Sequence, residues 1–311
     1  MKWWAYLRGT NLLMIGLVQF AVWYGWLRTV FAKHGIAPVM HAADALLLSI
    51  ATVFIASFGY LLNDWYDVDV DQINGRRTLF TDKPHLRHKG KSIAVVPLLL
   101  GTAIVLYLTI LYKMQILLLL YLGVAVALWG YAWRLQRLPF IGNAVISLLT
   151  AGFPLVYYLI EQRSLDALYS CCSAEWHFTL DTMLAFAGFA FLITLVREII
   201  KDMQDIRGDY AYGYHTLPLV VGWDLSIYTV IFIAAVLIGA VLYWAFWVHK
   251  MVGYLSLITV VLPLVGFIWK AWRAEEPEDM RSLSRMLKVI MLAGMLLWAF
   301  TIAYFYYFLQ W

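Results

Sequence analysis

Nine stretches of about twenty mostly apolar residues follow one another along this 311-residue chain, and they restrict its fold more than any other feature. They cover residues 9–29, 43–62, 93–112, 115–133, 140–160, 178–200, 224–247, 252–272 and 287–310. Each is long enough to cross a bilayer, and a segment crossing lipid has to satisfy its own backbone hydrogen bonds. The expected fold is all-α: a polytopic membrane protein of nine transmembrane helices, read as a single domain over residues 1–311. Composition agrees, because only 14% of residues are charged, where soluble domains carry about a quarter. The narrowest gap is "YKMQ" (112–115), enough for a tight helical hairpin. The start, "MKWWAYLRGTNLLMIGLVQF", has the positive end and apolar core of a signal peptide. Its apolar run is too long for one and no small-residue cleavage site follows, so a retained first helix is expected.

Lysine and arginine orient the spans. Of 23 such residues, only Arg28, Lys33, Lys113, Arg163 and Lys250 fall in segments on the side opposite the N-terminus. That asymmetry predicts a cytoplasmic N-terminus. The expected location is a bacterial inner membrane, with the tail "YFYYFLQW" as an aromatic belt at the outer interface. The net charge of +4 is accounted for by basic residues facing anionic lipid, so membrane lipids are expected partners and nucleic acid is not.

Against this background the second span ends in "NDWYDVDVD". Asp64, Asp67 and Asp71 are spaced i, i+3, i+7, which puts them on one helix face with Asn63 beside them, while Asp69 points elsewhere. The sixth span ends in "REIIKDMQDIRGD", where Asp202, Asp205 and Asp209 repeat the spacing and Glu198 lies one turn earlier. Spans two and six run in the same direction, so both clusters emerge on the cytoplasmic side. One acidic run after a span reads as a solvated helix end. Two with matched spacing on one membrane face carry a repulsion that a cation would offset. Oxygen-only ligands, with no His or Cys set at ligand spacing, point to a hard divalent ion such as Mg²⁺, which completes its shell with water and substrate phosphates.

On these residues the chain resembles the UbiA superfamily of intramembrane prenyltransferases. That family's first motif stands here as Asn63-Asp64-x-x-Asp67-x-x-x-Asp71 and its second as Asp202-x-x-Asp205-x-x-x-Asp209. The resemblance implies two pseudo-symmetric helix groups around a central cavity open to lipid. It implies Mg²⁺ held by both motifs, with Asp67, Asp71, Asp205 and Asp209 as the catalytic carboxylates and a polyprenyl diphosphate as donor. The implied chemistry is ionisation of the allylic C–O bond and capture of the carbocation by a lipid-soluble or amphiphilic acceptor. Arg8 and Asn11 resemble the family's polar residues near the donor head group. "YAWRLQRLPFIGN" resembles the segment between spans four and five, where the family has a tyrosine and a lysine. Here Tyr131 is present but no lysine follows; Gln136 stands between Arg134 and Arg137, and the resemblance implies that one of these arginines takes the lysine's role at the diphosphate. Arg76 and Arg77, after the first motif, and Lys201, in the second-motif helix with Arg197 and Glu198, complete the expected diphosphate contacts. Positive-inside anchoring is the competing explanation for each arginine.

The second-motif segment resembles archaeal-type geranylgeranylglyceryl phosphate geranylgeranyltransferases, so an ether-lipid acceptor is expected. An aromatic quinone precursor is the nearest alternative, followed by a terpene cyclase or a cation transporter. A transporter would place acids nearer the midplane of broken helices. Adjacent Cys171 and Cys172 suggest neither a disulfide framework nor a zinc site. His85 and His88 and the acidic turn at 275–279 are expected to be solvated, and the outer loop 161–177 to carry no chemistry; Asn143 and Pro154 are expected either to kink or polarise a cavity wall or to serve interhelical packing.

Overall fold

A computed structural model describes Trp4 and residues 6–308, with side chains through residue 305. Lys2 and the end of the aromatic tail lie outside the described residues. Among those described, all regular structure is helical, and nine helices are long and apolar enough to cross a membrane.

The crossing helices are α1 (Gly9–Lys33), α2 (Ala42–Tyr66), α5 (Gly90–Tyr112), α6 (Gln115–Trp133), α7 (Ile141–Ile160), α9 (Ser173–Ala211), α11 (Trp223–Val248), α12 (Lys250–Trp272) and α13 (Pro277–Phe308). Short helices α3 (Val68–Ile73), α4 (Leu79–Asp82), α8 (Gln162–Cys171) and α10 (Leu217–Val221) lie between them. Every expected span is present. The hairpin at "YKMQ" is made by Lys113 in the left-handed region at φ 54°, which ends α5 just before α6 begins. The largest departure is length. The 39-residue α9 would extend about 58 Å, nearly twice the hydrocarbon thickness. Its second acidic cluster therefore rides on a helical extension beyond the apolar run.

Packing explains why so much apolar surface is left outside. Leu99, Ile110, Leu119, Val126 and Phe232 are all more than 60% exposed, as side chains facing lipid are. Inside, one apolar cluster joins α9, α11, α12 and α13, and a second is built mostly from α1, α2, α5, α6 and α7. Helix α9 links them by packing against α7, α11 and α13. At the end away from the carboxylates, Glu161 is fully buried and accepts from Trp23 Nε1 (2.8 Å), Val39 N (2.7 Å) and Met40 N (3.0 Å). That side chain ties α1, the 34–41 turn and the end of α7 together. Residue 161 therefore has a structural role that the sequence pattern does not reveal.

Candidate active site

Both acidic motifs end their helices in the same way. Helix α3 closes with Gly75 at φ 65°; Gly75 N bonds to Gln72 O (3.2 Å) and Arg76 N to Asp71 O (2.8 Å). Helix α9 closes with Gly213 at φ 66°; Gly213 N bonds to Tyr210 O (3.2 Å) and Tyr214 N to Asp209 O (2.9 Å). This is the Schellman termination, in which a glycine without a Cβ takes the left-handed conformation and satisfies the last carbonyls. In each case the residue after the glycine reaches across to the other motif. Arg76 pairs with Asp205 at 2.5 Å and lies 3.9 Å from Asp71, and the Tyr214 hydroxyl donates to Asp67 Oδ1 at 3.3 Å. Asn74 Oδ1 accepts from Gly208 N at 2.9 Å, drawing α3 against α9.

The carboxylates are oriented by donors, and all but the half-buried Asp202 are buried. Asp67 accepts from Asn63 Nδ2 (2.9 Å) and Gln136 Nε2 (2.9 Å) as well as Tyr214. Asp64 pairs with Arg8 at 2.5 Å, Asp202 accepts from Asn143 Nδ2 at 2.7 Å, and Asp209 accepts from Thr216 Oγ1 at 3.1 Å. The chain kinks at Asp67 (φ −98°, ψ 11°), so the expected single helical face is divided between α2 and α3. Asp69 points away, as expected, and pairs with the exposed Arg87. Burial pushes the Asp67 carboxyl up to about 6, opposed by Lys201 and the Tyr214 hydroxyl. Burial likewise pushes Asp71 up to about 7, with Arg76 opposing and Asp64 and Asp67 adding to it.

Above the carboxylates lies an apolar cavity of about 410 Å³. Arg8, Asn11, Asn63, Tyr131, Glu198 and Lys201 line its polar portion, together with Arg197 and Lys288. Tyr60, Phe153, Phe186 and Phe189 supply aromatic surface, and Gln19, Thr52 and Tyr121 form a hydrogen-bonded polar patch elsewhere in the wall. Glu198 is buried between Arg197 (2.6 Å) and Lys201 (3.5 Å). Arg8 itself is in the left-handed region at φ 52°, a conformation that non-glycine residues adopt at an energetic cost, and it stacks 4.9 Å over the Tyr60 ring.

The expected site residues thus divide. Arg8, Asn11, Tyr131 and Lys201 reach the cavity, and Arg76 joins the two motifs. Arg137 stacks over Tyr214, with its guanidinium 4.7 Å from the ring centre. Arg77 is not brought to the carboxylates: its side chain is 75% exposed and paired with Asp82. Arg134 is exposed. Gln136, between Arg134 and Arg137, contacts Asp67 directly. Asn143 donates to Asp202 and does not line the cavity, whereas Pro154 lies in the cavity wall. Tyr214, Asn74, Thr216 and Lys288 were missed. For Tyr214 a signal existed, since "DQINGR" and "DYAYGY" share the Asp-to-Gly spacing that builds both turns.

The residues present fit a hard divalent cation. The donor set is all oxygen, and Asn63 Oδ1 and Asp205 Oδ1 are buried acceptors with no hydrogen-bond donor. Asp67 is fixed by three donors, as ligating carboxylates are.

Comparison with known proteins adds independent findings. The model of the UbiA prenyltransferase family matches residues 18–291. A digeranylgeranylglyceryl phosphate synthase from Pyrococcus horikoshii is 31% identical over 216 residues, 70% of this chain and 67% of that protein. One of the same name from Thermococcus kodakarensis is 25% identical over 91% of each chain. Among solved structures, a UbiA homolog from Archaeoglobus fulgidus bound to GPP and Mg²⁺ superposes with a TM-score of 0.58. It is 16% identical, with 96% of this chain and 99% of that one covered.

Proposed function

This chain belongs to the UbiA prenyltransferase family and is a multi-pass membrane transferase of prenyl groups, and from that premise we propose that it moves a geranylgeranyl group from its diphosphate to geranylgeranylglyceryl phosphate. The observation that carries the reading is the pair of oxygen-only carboxylate clusters, cross-linked by Arg76 and Tyr214, beneath an apolar cavity whose polar portion carries Arg8, Arg197, Lys201 and Lys288. The acceptor assignment is supported by the digeranylgeranylglyceryl phosphate synthases among its relatives.

In this reading Asn63, Asp64, Asp67, Asp71, Asp202, Asp205 and Asp209 hold Mg²⁺. When bound, Mg²⁺ neutralises the charge that develops on the departing diphosphate. Arg8, Asn11, Arg76, Tyr131 and Lys201 hold the diphosphate oxygens, with Arg137 placed behind Tyr214. Arg8 and Arg76 exchange their carboxylate partners for phosphate as the donor enters. The allylic C–O bond breaks with its electron pair going to the diphosphate. The cation left on carbon is sheltered by the aromatic wall, which can stabilise it through ring faces and keeps water away. The acceptor hydroxyl oxygen then bonds to that carbon, and its proton leaves with the diphosphate. Arg197 and Lys288 supply positive charge for the acceptor's phosphate. The active site faces the cytoplasm, where the lysines and arginines concentrate.

A transfer assay on detergent-purified protein tests this. Geranylgeranyl diphosphate and Mg²⁺ are supplied with geranylgeranylglyceryl phosphate, 4-hydroxybenzoate or dihydroxynaphthoate. Product is expected from the first acceptor alone and is lost in Asp67→Ala and Asp205→Ala. Product from an aromatic acid instead would move the assignment to a quinone precursor, and diphosphate release without any product would favour a cyclase.

A further inference from the structure

The face opposite the carboxylates carries a second set of ligand-type side chains. Arg8 and His34 flank α1, a 25-residue helix about 38 Å long, so the two sites are separated by the membrane-crossing length. His34 caps the C-terminal end of α1, Cys171 ends α8, Cys172 follows it, and Glu175 lies in the first turn of α9. Although 137 residues of sequence separate His34 from Cys171, one ligand atom from each of His34, Cys171 and Cys172 lies within 4.8 Å of the others.

Orientation within the cluster is informative. His34 Nδ1 is 3.1 Å from Cys172 Sγ, while its other ring nitrogen, Nε2, is 3.8 Å from Glu175 Oε1. Nε2 is buried and makes no hydrogen bond at that distance. A histidine with one nitrogen toward the metal position and the other toward a carboxylate is the usual arrangement of a metal-ligating imidazole, because the carboxylate fixes the tautomer and raises ligand basicity. Both cysteines are free thiols. Sequence spacing concealed the set, since adjacent cysteines alone resemble no zinc motif.

We propose that His34 Nδ1, Cys171 Sγ and Cys172 Sγ form a binding site for a thiophilic divalent cation of the Zn²⁺ type on this face, with Glu175 as the carboxylate behind the histidine. Two thiolates and an imidazole select a borderline-soft ion and reject Mg²⁺, so this site and the carboxylate site differ in metal as well as in place. Three protein ligands leave one tetrahedral position for water. Binding ties the end of α1 to the α8–α9 junction and releases protons from the two thiols.

The test is a metal titration of the full-length protein, purified in detergent with reductant and freed of metal. Co²⁺ is the spectroscopic probe and Zn²⁺ the competitor. One equivalent of Co²⁺ is expected to give a thiolate-to-cobalt charge-transfer band that Zn²⁺ abolishes. The band should be lost in Cys172→Ser and in His34→Ala. Glu175→Gln should retain the band with affinity reduced about 10–100-fold. Mg²⁺-dependent prenyl transfer, retained in all three variants, serves as the folding control. Absence of a thiolate band in the native protein would overturn the proposal, as would a band that survives Cys171→Ser combined with Cys172→Ser. Mass spectrometry of membranes alkylated without reductant supplies the remaining arm: a Cys171–Cys172 disulfide there would also overturn it.

Discussion

Asp67 and Asp71 show how burial changes the proton affinity of an acidic motif. Folding raises both carboxyls from an ordinary 3.8 to about 6 and about 7. Without metal, the native state therefore binds more protons than the unfolded chain between those values. Stability is highest below the unfolded value and falls as pH rises through the native ones. In the proposed function Mg²⁺ binds the deprotonated form, so its stabilisation should grow over the same window. Melting of the detergent-solubilised protein is expected to show a midpoint that drops from about pH 4 to pH 8 without Mg²⁺, and a smaller drop with it. Asp67→Asn with Asp71→Asn should remove most of that difference. An identical pH profile in wild type and double variant would contradict the assignment.

At the scale of elements, the paired helix ends place the groups that join the motifs. Gly75 and Gly213 are left-handed, where a Cβ costs roughly 1–2 kcal/mol. Gly75→Ala should therefore lower stability by about 1 kcal/mol. It should also reduce turnover more than this loss explains, because Arg76 no longer returns to Asp205. Comparing the shift in melting midpoint with kcat under saturating donor separates the two effects. At the far end Glu161→Ala leaves the Trp23 indole N–H and the Val39 and Met40 amides without their acceptor. A loss of about 3 kcal/mol or more is expected at unsatisfied-donor costs of roughly 1–3 kcal/mol each. Melting should drop by many degrees, while the KM for the donor in protein that remains folded stays unchanged.

For the whole molecule, the meeting of α1, α2, α9 and α13 at one cavity decides which charges a substrate encounters. Lys288 lines that cavity from α13, far in sequence from either motif. Lys288→Ala is expected to raise the KM for a phosphorylated acceptor about tenfold or more, on the scale of a charge-assisted hydrogen bond of roughly 1.5–3 kcal/mol. The KM for the prenyl diphosphate should change little. Equal effects on both substrates, read from initial rates with each varied in turn, would remove Lys288 from the acceptor's side.

Nine spans, their order and the hairpin at Lys113 were legible because the bilayer sets a length and a polarity that any crossing helix has to meet within its own residues. Both acidic motifs were legible for a related reason: carboxylates beside hydrocarbon are expensive, and their spacing is a property of one helix. The sequence alone thus determined the all-helical membrane architecture, the two carboxylate clusters and their shared face. Only the tertiary structure decided that Arg76 and Tyr214 cross between motifs, that Arg77 turns to Asp82, that Glu161 anchors the opposite end, and that His34 meets Cys171 and Cys172. Each of these depends on contacts between helices distant in the chain, and no local periodicity encodes which buried donor will meet which acceptor.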